Sequence, residues 1–233
     1  MSTGSSLHQR PFDLDENDFF ENPEPRCPCI LLLDISQSMS GEPIKQLNEA
    51  VRALKQSLLE DDYASKRAEI AVVTFGAKVE TTSFVSPEKF DPPVFEAKGT
   101  TPMGQAIRTS LQMLRDRKAL LRDNGMQILR PLIFLISDGS PTDSWVDIPA
   151  LIRDGEENKS FMLTAIGVKD ADFAVLNELM HKKGKGQRRE ALRLDGLKFK
   201  ELFQWLSASI KSASHAAPGN EPEFDSPTGW AVS

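Results

Sequence analysis

Four short apolar runs, at residues 29–34, 70–75, 132–137 and 161–168, alternate with stretches whose apolar residues recur every three or four positions. A run of about six residues without a polar face must be covered on both sides, which a strand in the middle of a sheet achieves and a surface strand does not. Helical stretches between such strands supply the crossovers that parallel pairing needs and the two covering layers. The pattern therefore predicts an α/β fold with a mostly parallel central sheet between helices. Residues 79–85 follow the second run across Gly76-Ala77-Lys78, a link short enough for a hairpin, which predicts one antiparallel edge strand. A further short strand is expected near residues 190–194.

The covering helices are read from their stripes. After Ser40-Gly41, Pro43 stands where a first helical turn tolerates it, and Ile44, Leu47, Val51, Leu54 and Leu58 then form one apolar face. Met103, Ile107, Leu111 and Leu114 repeat the spacing, and Phe199, Leu202, Phe203, Leu206 and Ile210, with Trp205 beside them, make a closing helix. These aromatic residues read as core. The expected domain covers residues 27–212. Residues 1–26 are rich in Ser, Pro, Asp and Glu with Phe12, Phe19 and Phe20 interspersed, and residues 213–233 are rich in Pro, Gly, Ser and Glu with Trp230 alone near the end. Both read as flexible arms, having little apolar surface to order them.

Bulk properties remove several classes of function. The 233 residues carry a formal net charge of −6, so the chain has no general electrostatic attraction to nucleic acid or acidic lipid. Nothing at the amino end resembles a signal peptide and no stretch is apolar over a membrane's width, so a cytoplasmic location is expected. Cys27 and Cys29 are the only two cysteines and read as reduced thiols entering a strand, since no second pair completes a zinc site. His181, in the basic stretch Lys182-Lys183-Gly184-Lys185-Gly186, reads as part of a solvated turn.

The chemistry lies at strand ends. The first run closes on Asp34-Ile35-Ser36-Gln37-Ser38 and the third on Ser137-Asp138-Gly139-Ser140, while Gly99-Thr100-Thr101-Pro102 leads into a helix between them. In open α/β sheets, ligands gather in the crevice outside the carboxyl ends of the strands. Asp34, Ser36, Ser38, Thr101 and Asp138 would deliver two carboxylates and three hydroxyls there, a set of hard oxygen donors. Such donors suit one divalent cation, Mg2+ before Mn2+ or Ca2+, and suit zinc or copper poorly. Where hydroxyls contribute much of the coordination, the ion keeps residual positive charge and attracts an outside carboxylate. That is the physical basis for recognising a partner protein.

These three segments resemble the metal-ion-dependent adhesion site of von Willebrand factor A (vWA) domains. More narrowly, Leu31-Leu32-Leu33-Asp34, Gly41-Glu42-Pro43-Ile44, the run from Phe134 through Asp138-Gly139-Ser140-Pro141-Thr142-Asp143-Ser144 to Trp145, and Trp205-Leu206-Ser207-Ala208-Ser209-Ile210 resemble the bacterial tellurium-resistance Y-type (TerY-like) branch. The resemblance implies a three-layer α/β/α, Rossmann-like vWA fold and a non-enzymatic, metal-dependent protein-binding module of a stress-response or phage-defence system. A 2C-type protein phosphatase and a serine/threonine kinase are the implied partners. Ser36, Ser38 and Thr101 carry over as hydroxyl ligands, and Asp34 and Asp138 as carboxylates acting directly or through water. Gln37 departs from the glycine common at its position, and Thr100 beside Thr101 leaves two hydroxyls for one role. Two other readings stay open: a Mg2+-dependent phosphatase of the haloacid-dehalogenase type, which would need an acid where Ser36 stands, and a vWA accessory of an AAA ATPase.

Overall fold

In the computed structural model, residues 21–180, 182–183 and 187–232 are described. The expected residues of the amino-terminal arm up to 20, and His181 with most of its basic turn, lie outside them. Strand β1 (Cys27–Asp34) is followed by helices α1 (Glu42–Leu59) and α2 (Ala64–Arg67), then strands β2 (Ala68–Phe75) and β3 (Val79–Thr81). Helix α3 (Met103–Asp123), strand β4 (Leu132–Ser137), helix α4 (Ile148–Glu157), strand β5 (Met162–Gly167) and helix α5 (Phe173–Glu178) continue the alternation. Strands β6 (Lys182–Lys183), β7 (Gln187–Arg188) and β8 (Leu192–Leu194), helix α6 (Phe199–His215) and strand β9 (Ala231–Val232) complete it. The main sheet has the order β3-β2-β1-β4-β5-β8-β9, and β6 and β7 form a separate hairpin. From β2 to β8 the neighbours pair in parallel, with β3 antiparallel at one edge.

Strands β1, β2, β4 and β5 are wholly buried because their alternate side chains serve two different cores. On β1, Cys27, Cys29, Leu31 and Leu33 join Leu47, Val51, Leu54, Leu202 and Leu206 from α1 and α6. Ile30 and Leu32 point the other way, toward Met103, Ile107 and Leu111 of α3 and Ile148 and Ile152 of α4. The period-two division of side chains between the faces turns a continuous apolar run into the middle layer of a three-layer fold. Cys27 and Cys29 are both fully buried, with sulfur atoms 3.9 Å apart and no disulfide. Within the core, Glu69 of β2 forms an ion pair with Arg117 of α3 through a bond of 2.8 Å, and Arg26 stands 3.4 Å from the same carboxylate.

The edge hairpin is shorter than its sequence suggests. Val73 faces Thr81, whereas pairing resumes with Ile70 opposite Val85. The outer chain has therefore gained one residue, and the resulting bulge ends β3 early. At its start, Gly76 lets three chain segments pass close together, since a Cβ there would lie 2.5 Å from the Lys98 carbonyl oxygen and 2.9 Å from that of Ile35.

The described residues flanking residues 27–212 make contacts with the domain on both sides. Among the described residues before Cys27, Arg26 is part of a backbone ladder with Gln127 and Leu129, and Glu24 pairs with Arg67. At the other end α6 runs to His215, and the following segment returns to the sheet. Trp230 is 2% exposed, its carbonyl accepts from the Asp195 amide at 2.8 Å, and β9 adds an antiparallel strand beyond β8. The expectation of a loosely tethered tail over 213–233 is corrected by these contacts. Their source is the Trp205 ring, which packs at 6.0 Å from Phe224 and 5.3 Å from Trp230. A segment poor in apolar residues is ordered by two well-placed aromatic anchors, which average composition conceals.

Candidate metal centre

The site forms where β1 and β4 lie side by side, so that their carboxyl ends open into one crevice. Asp34, the last residue of β1, is fully buried, and both its oxygens are engaged: Oδ1 accepts from the Ser36 amide at 2.8 Å and Oδ2 from the Ser137 hydroxyl at 2.6 Å. The first bond turns the chain immediately after the strand, and a single turn of 3-10 helix over Gln37–Met39 follows. Within this loop the Ser36 and Ser38 hydroxyls stand 2.9 Å apart, and Ser38 donates to Asp138 Oδ1 at 2.7 Å. Asp138, 8% exposed, follows β4 directly. Gln37 introduces no strain, because its backbone is not in the left-handed region.

Thr101 reaches the crevice on a loop held from both sides. The Gly99 carbonyl accepts from the Gln37 amide at 3.1 Å, and the Lys98 amide donates to Ile35. Gly99 itself has φ +80° and leaves only enough room for a hydrogen against Ala77, where a Cβ would lie 2.3 Å from the backbone. Thr101 is buried and Thr100 exposed, and the Thr101 hydroxyl lies 3.2 Å from where a Cβ on Gly139 would stand. Burial thus separates Thr101, named from the sequence, from the adjacent Thr100.

Several supporting residues were not assigned a role from sequence. Ser137 fixes the Asp34 carboxylate, and the Thr142 hydroxyl accepts from the Thr101 amide at 3.1 Å. Asp143 accepts from the Gly104 and Gln105 amides at 2.9 and 2.7 Å, capping the open end of α3. The Ser-Pro-Thr-Asp stretch after Gly139 is therefore a clamp joining the Asp138 loop to the Thr101 loop. Asp143→Ala is expected to cost about 1 kcal/mol, the usual value of an amino-terminal cap, as measured by urea denaturation. Lys169 also enters the site: its ammonium donates to the Ser38 carbonyl at 2.6 Å and lies 3.7 Å from Asp138 Oδ2. Its only signal in the sequence is its place just past β5.

Burial raises the Asp34 carboxyl above its ordinary pKa; the hydrogen bonds from Ser137 and Ser36 oppose this, and the nearby Asp138 charge adds to it. A buried carboxylate that is costly to ionise, next to another carboxylate, favours a cation in the same crevice. The donor spacing fits a small hard ion. An octahedral Mg2+ with bonds of about 2.1 Å holds neighbouring oxygens about 3 Å apart, close to the 2.9 and 2.7 Å separations along Ser36, Ser38 and Asp138. Among the described residues no group of three or more His, Cys, Asp or Glu side chains offers an alternative metal cluster.

An open α/β sheet with oxygen donors gathered at its carboxyl edge defines a class of ligand-binding scaffold. Within that class the chain belongs to the von Willebrand factor type A domain family, whose model matches residues 29–195. No curated protein matches the sequence. Among solved structures, VWA2, an ArnB paralogue from Sulfolobus acidocaldarius, is similar at a TM-score of 0.52 and 19% identity, over 79% of this chain and 45% of that one. The open form of the pilus adhesin SpaC from Lactobacillus rhamnosus GG has a TM-score of 0.61 and 12% identity, over 82% and 31% of the two chains. Proximal thread matrix protein 1 from mussel byssus, with a zinc-occupied MIDAS motif, has a TM-score of 0.52 and 14% identity, over 81% and 48%. This chain therefore spans less than half the length of each neighbour. At these identities the likeness is one of fold. No described helix is long and apolar enough to cross a membrane.

Proposed function

We propose that this vWA domain is a non-enzymatic module that binds a partner protein through one divalent cation, Mg2+ foremost, held by Asp34, Ser36, Ser38, Thr101 and Asp138. The observation that carries this reading is the continuous oxygen path from Ser36 to Ser38 to Asp138, joining residues 100 positions apart at the mouth of the crevice. When bound, the ion supplies positive charge for a carboxylate of the partner. The chain's own residues orient the oxygens: Asp34 and Ser137 hold the loop, and Thr142 holds the backbone at Thr101. Occupancy of a MIDAS motif by zinc in the mussel neighbour supports a divalent ion at this position and adds Zn2+ to the ions to be compared with Mg2+. The exposed Val146, on the loop following Asp138, adds apolar surface of the kind protein interfaces use.

An enzymatic reading has less support. Both Asp34 oxygens are occupied and the residue is fully buried, a poor arrangement for a nucleophile that must meet a substrate. By the motif resemblance described above, the module belongs to the TerY-like branch, acts in bacterial stress response, tellurium resistance or phage defence, and works in the cytoplasm beside a 2C-type phosphatase and a serine/threonine kinase. Calorimetric titration with Mg2+ and Mn2+ tests the site. Ser38→Ala and Asp138→Asn are expected to weaken binding by at least about tenfold, and affinity capture of the partner is expected to disappear with chelator. Equal titration curves for wild type and both variants would remove the site. Chelator-sensitive capture of an AAA ATPase ring without kinase or phosphatase would replace the TerY-like setting with the accessory reading.

A further inference from the structure

Lys169 is one of only two described non-glycine residues with positive φ, at 54°. A long side chain in the left-handed region carries a backbone cost that glycine or asparagine would avoid. It sits in a tight turn past β5, closed by the Ala171 amide on the Val168 carbonyl at 3.2 Å. The turn directs the side chain across the crevice, where the ammonium donates to the Ser38 carbonyl and stands 3.7 Å from Asp138 Oδ2. The strained backbone and the two contacts point the same way: an ammonium is held against Ser38 and Asp138, two of the residues proposed to hold the cation.

We propose that Lys169 is a built-in counter-cation of this site, resting on that assignment: it stabilises the metal-free arrangement and weakens metal binding by charge repulsion. Asp34, Asp138 and Lys169 together carry one net negative charge when all are ionised, and one net positive charge once a dication is added. Without metal, the ammonium neutralises Asp138 and anchors the Ser38 loop. With metal, it faces a like charge across the same carboxylate and must move toward solvent, which its 35% side-chain exposure permits. The site thereby accepts weaker metal affinity, and its loaded state has a positive sign toward an arriving acid. Lys169 is a positioning residue in this scheme and is not counted among the metal ligands.

The test uses Mn2+ alone as probe, with free Mn2+ followed by electron paramagnetic resonance, and thermal melts in chelator and in Mn2+. Lys169→Met keeps the stem and loses the charge; it is expected to bind Mn2+ about tenfold tighter than wild type and to gain more melting temperature from Mn2+. Lys169→Gly loses the charge while suiting the backbone, so it guards against a folding defect and is expected to show the same tightening. Lys169→Arg retains charge and is expected to stay near wild type. If wild type binds Mn2+ but both neutral variants bind equally or more weakly, the lysine is only a loop tether and the proposal fails while the site stands. If wild type itself binds no Mn2+, the proposal and the functional assignment fall together.

Discussion

Replacing Trp230 by alanine lowers the unfolding free energy by about 3–5 kcal/mol, the range for truncating a large buried aromatic side chain. The ring is 2% exposed and packs on Trp205, which in turn meets Phe134 of β4 at 6.2 Å. Removal opens a cavity beside the sheet and weakens β9, which pairs among the described residues with the three-residue strand β8 alone. The Trp205 indole also donates to the Asp225 carbonyl at 2.8 Å, a bond that depends on the same returning segment. Loss of residues 218–233 is expected to be at least as costly, with a melting point roughly 10 °C lower. Thermal and urea denaturation check both. Melting curves indistinguishable from wild type would show that the segment contributes nothing to stability.

Replacing Glu69 by alanine is expected to cost about 3–5 kcal/mol, because it leaves charged groups buried without their counter-charge. Arg26 and Arg117 are 5% and 9% exposed, and Glu69 is 4% exposed. Through this carboxylate the segment before β1, strand β2 and helix α3 are joined. Glu69→Leu combined with Arg117→Met is expected to recover much of the loss, since an apolar pair avoids the cost of burying ions. Denaturant titration of the single and double variants measures the difference. A Glu69→Ala midpoint within error of wild type would mean that water reaches both guanidinium groups.

The layered fold was legible because local pattern and burial agree. The central strands are apolar at most positions that face the two cores, with Glu69, Thr74 and Thr164 as buried polar exceptions, and the stripe from Ile44 to Leu58 leaves no other face for α1. The meeting of Asp34 and Asp138 was legible for the same reason: one ends and the other directly follows neighbouring buried strands, so topology brings them together without knowledge of any loop. Thr101 was named from the motif resemblance, and the burial that sets it apart from the exposed Thr100 is something neighbouring identical residues do not disclose. Lys169 was not legible, because its contact with Ser38 spans 131 positions and depends on a left-handed turn. The docking of Trp230 was hidden similarly. Its partner Trp205 was assigned to the core, but nothing in the sequence between them indicates a return path.

The three tryptophans give the molecule separate optical reporters. Trp205 and Trp230 form a close buried pair in one layer, whereas Trp145 is half-buried on the opposite side of the sheet, at the end of the loop that starts at Asp138. Exciton coupling between the two indoles in the far-ultraviolet circular dichroism spectrum would follow the pair and therefore the docking of the carboxyl-terminal segment. Emission from Trp145 would follow the loop, so events at the crevice and at the far edge of the sheet register in different signals from an unlabelled protein.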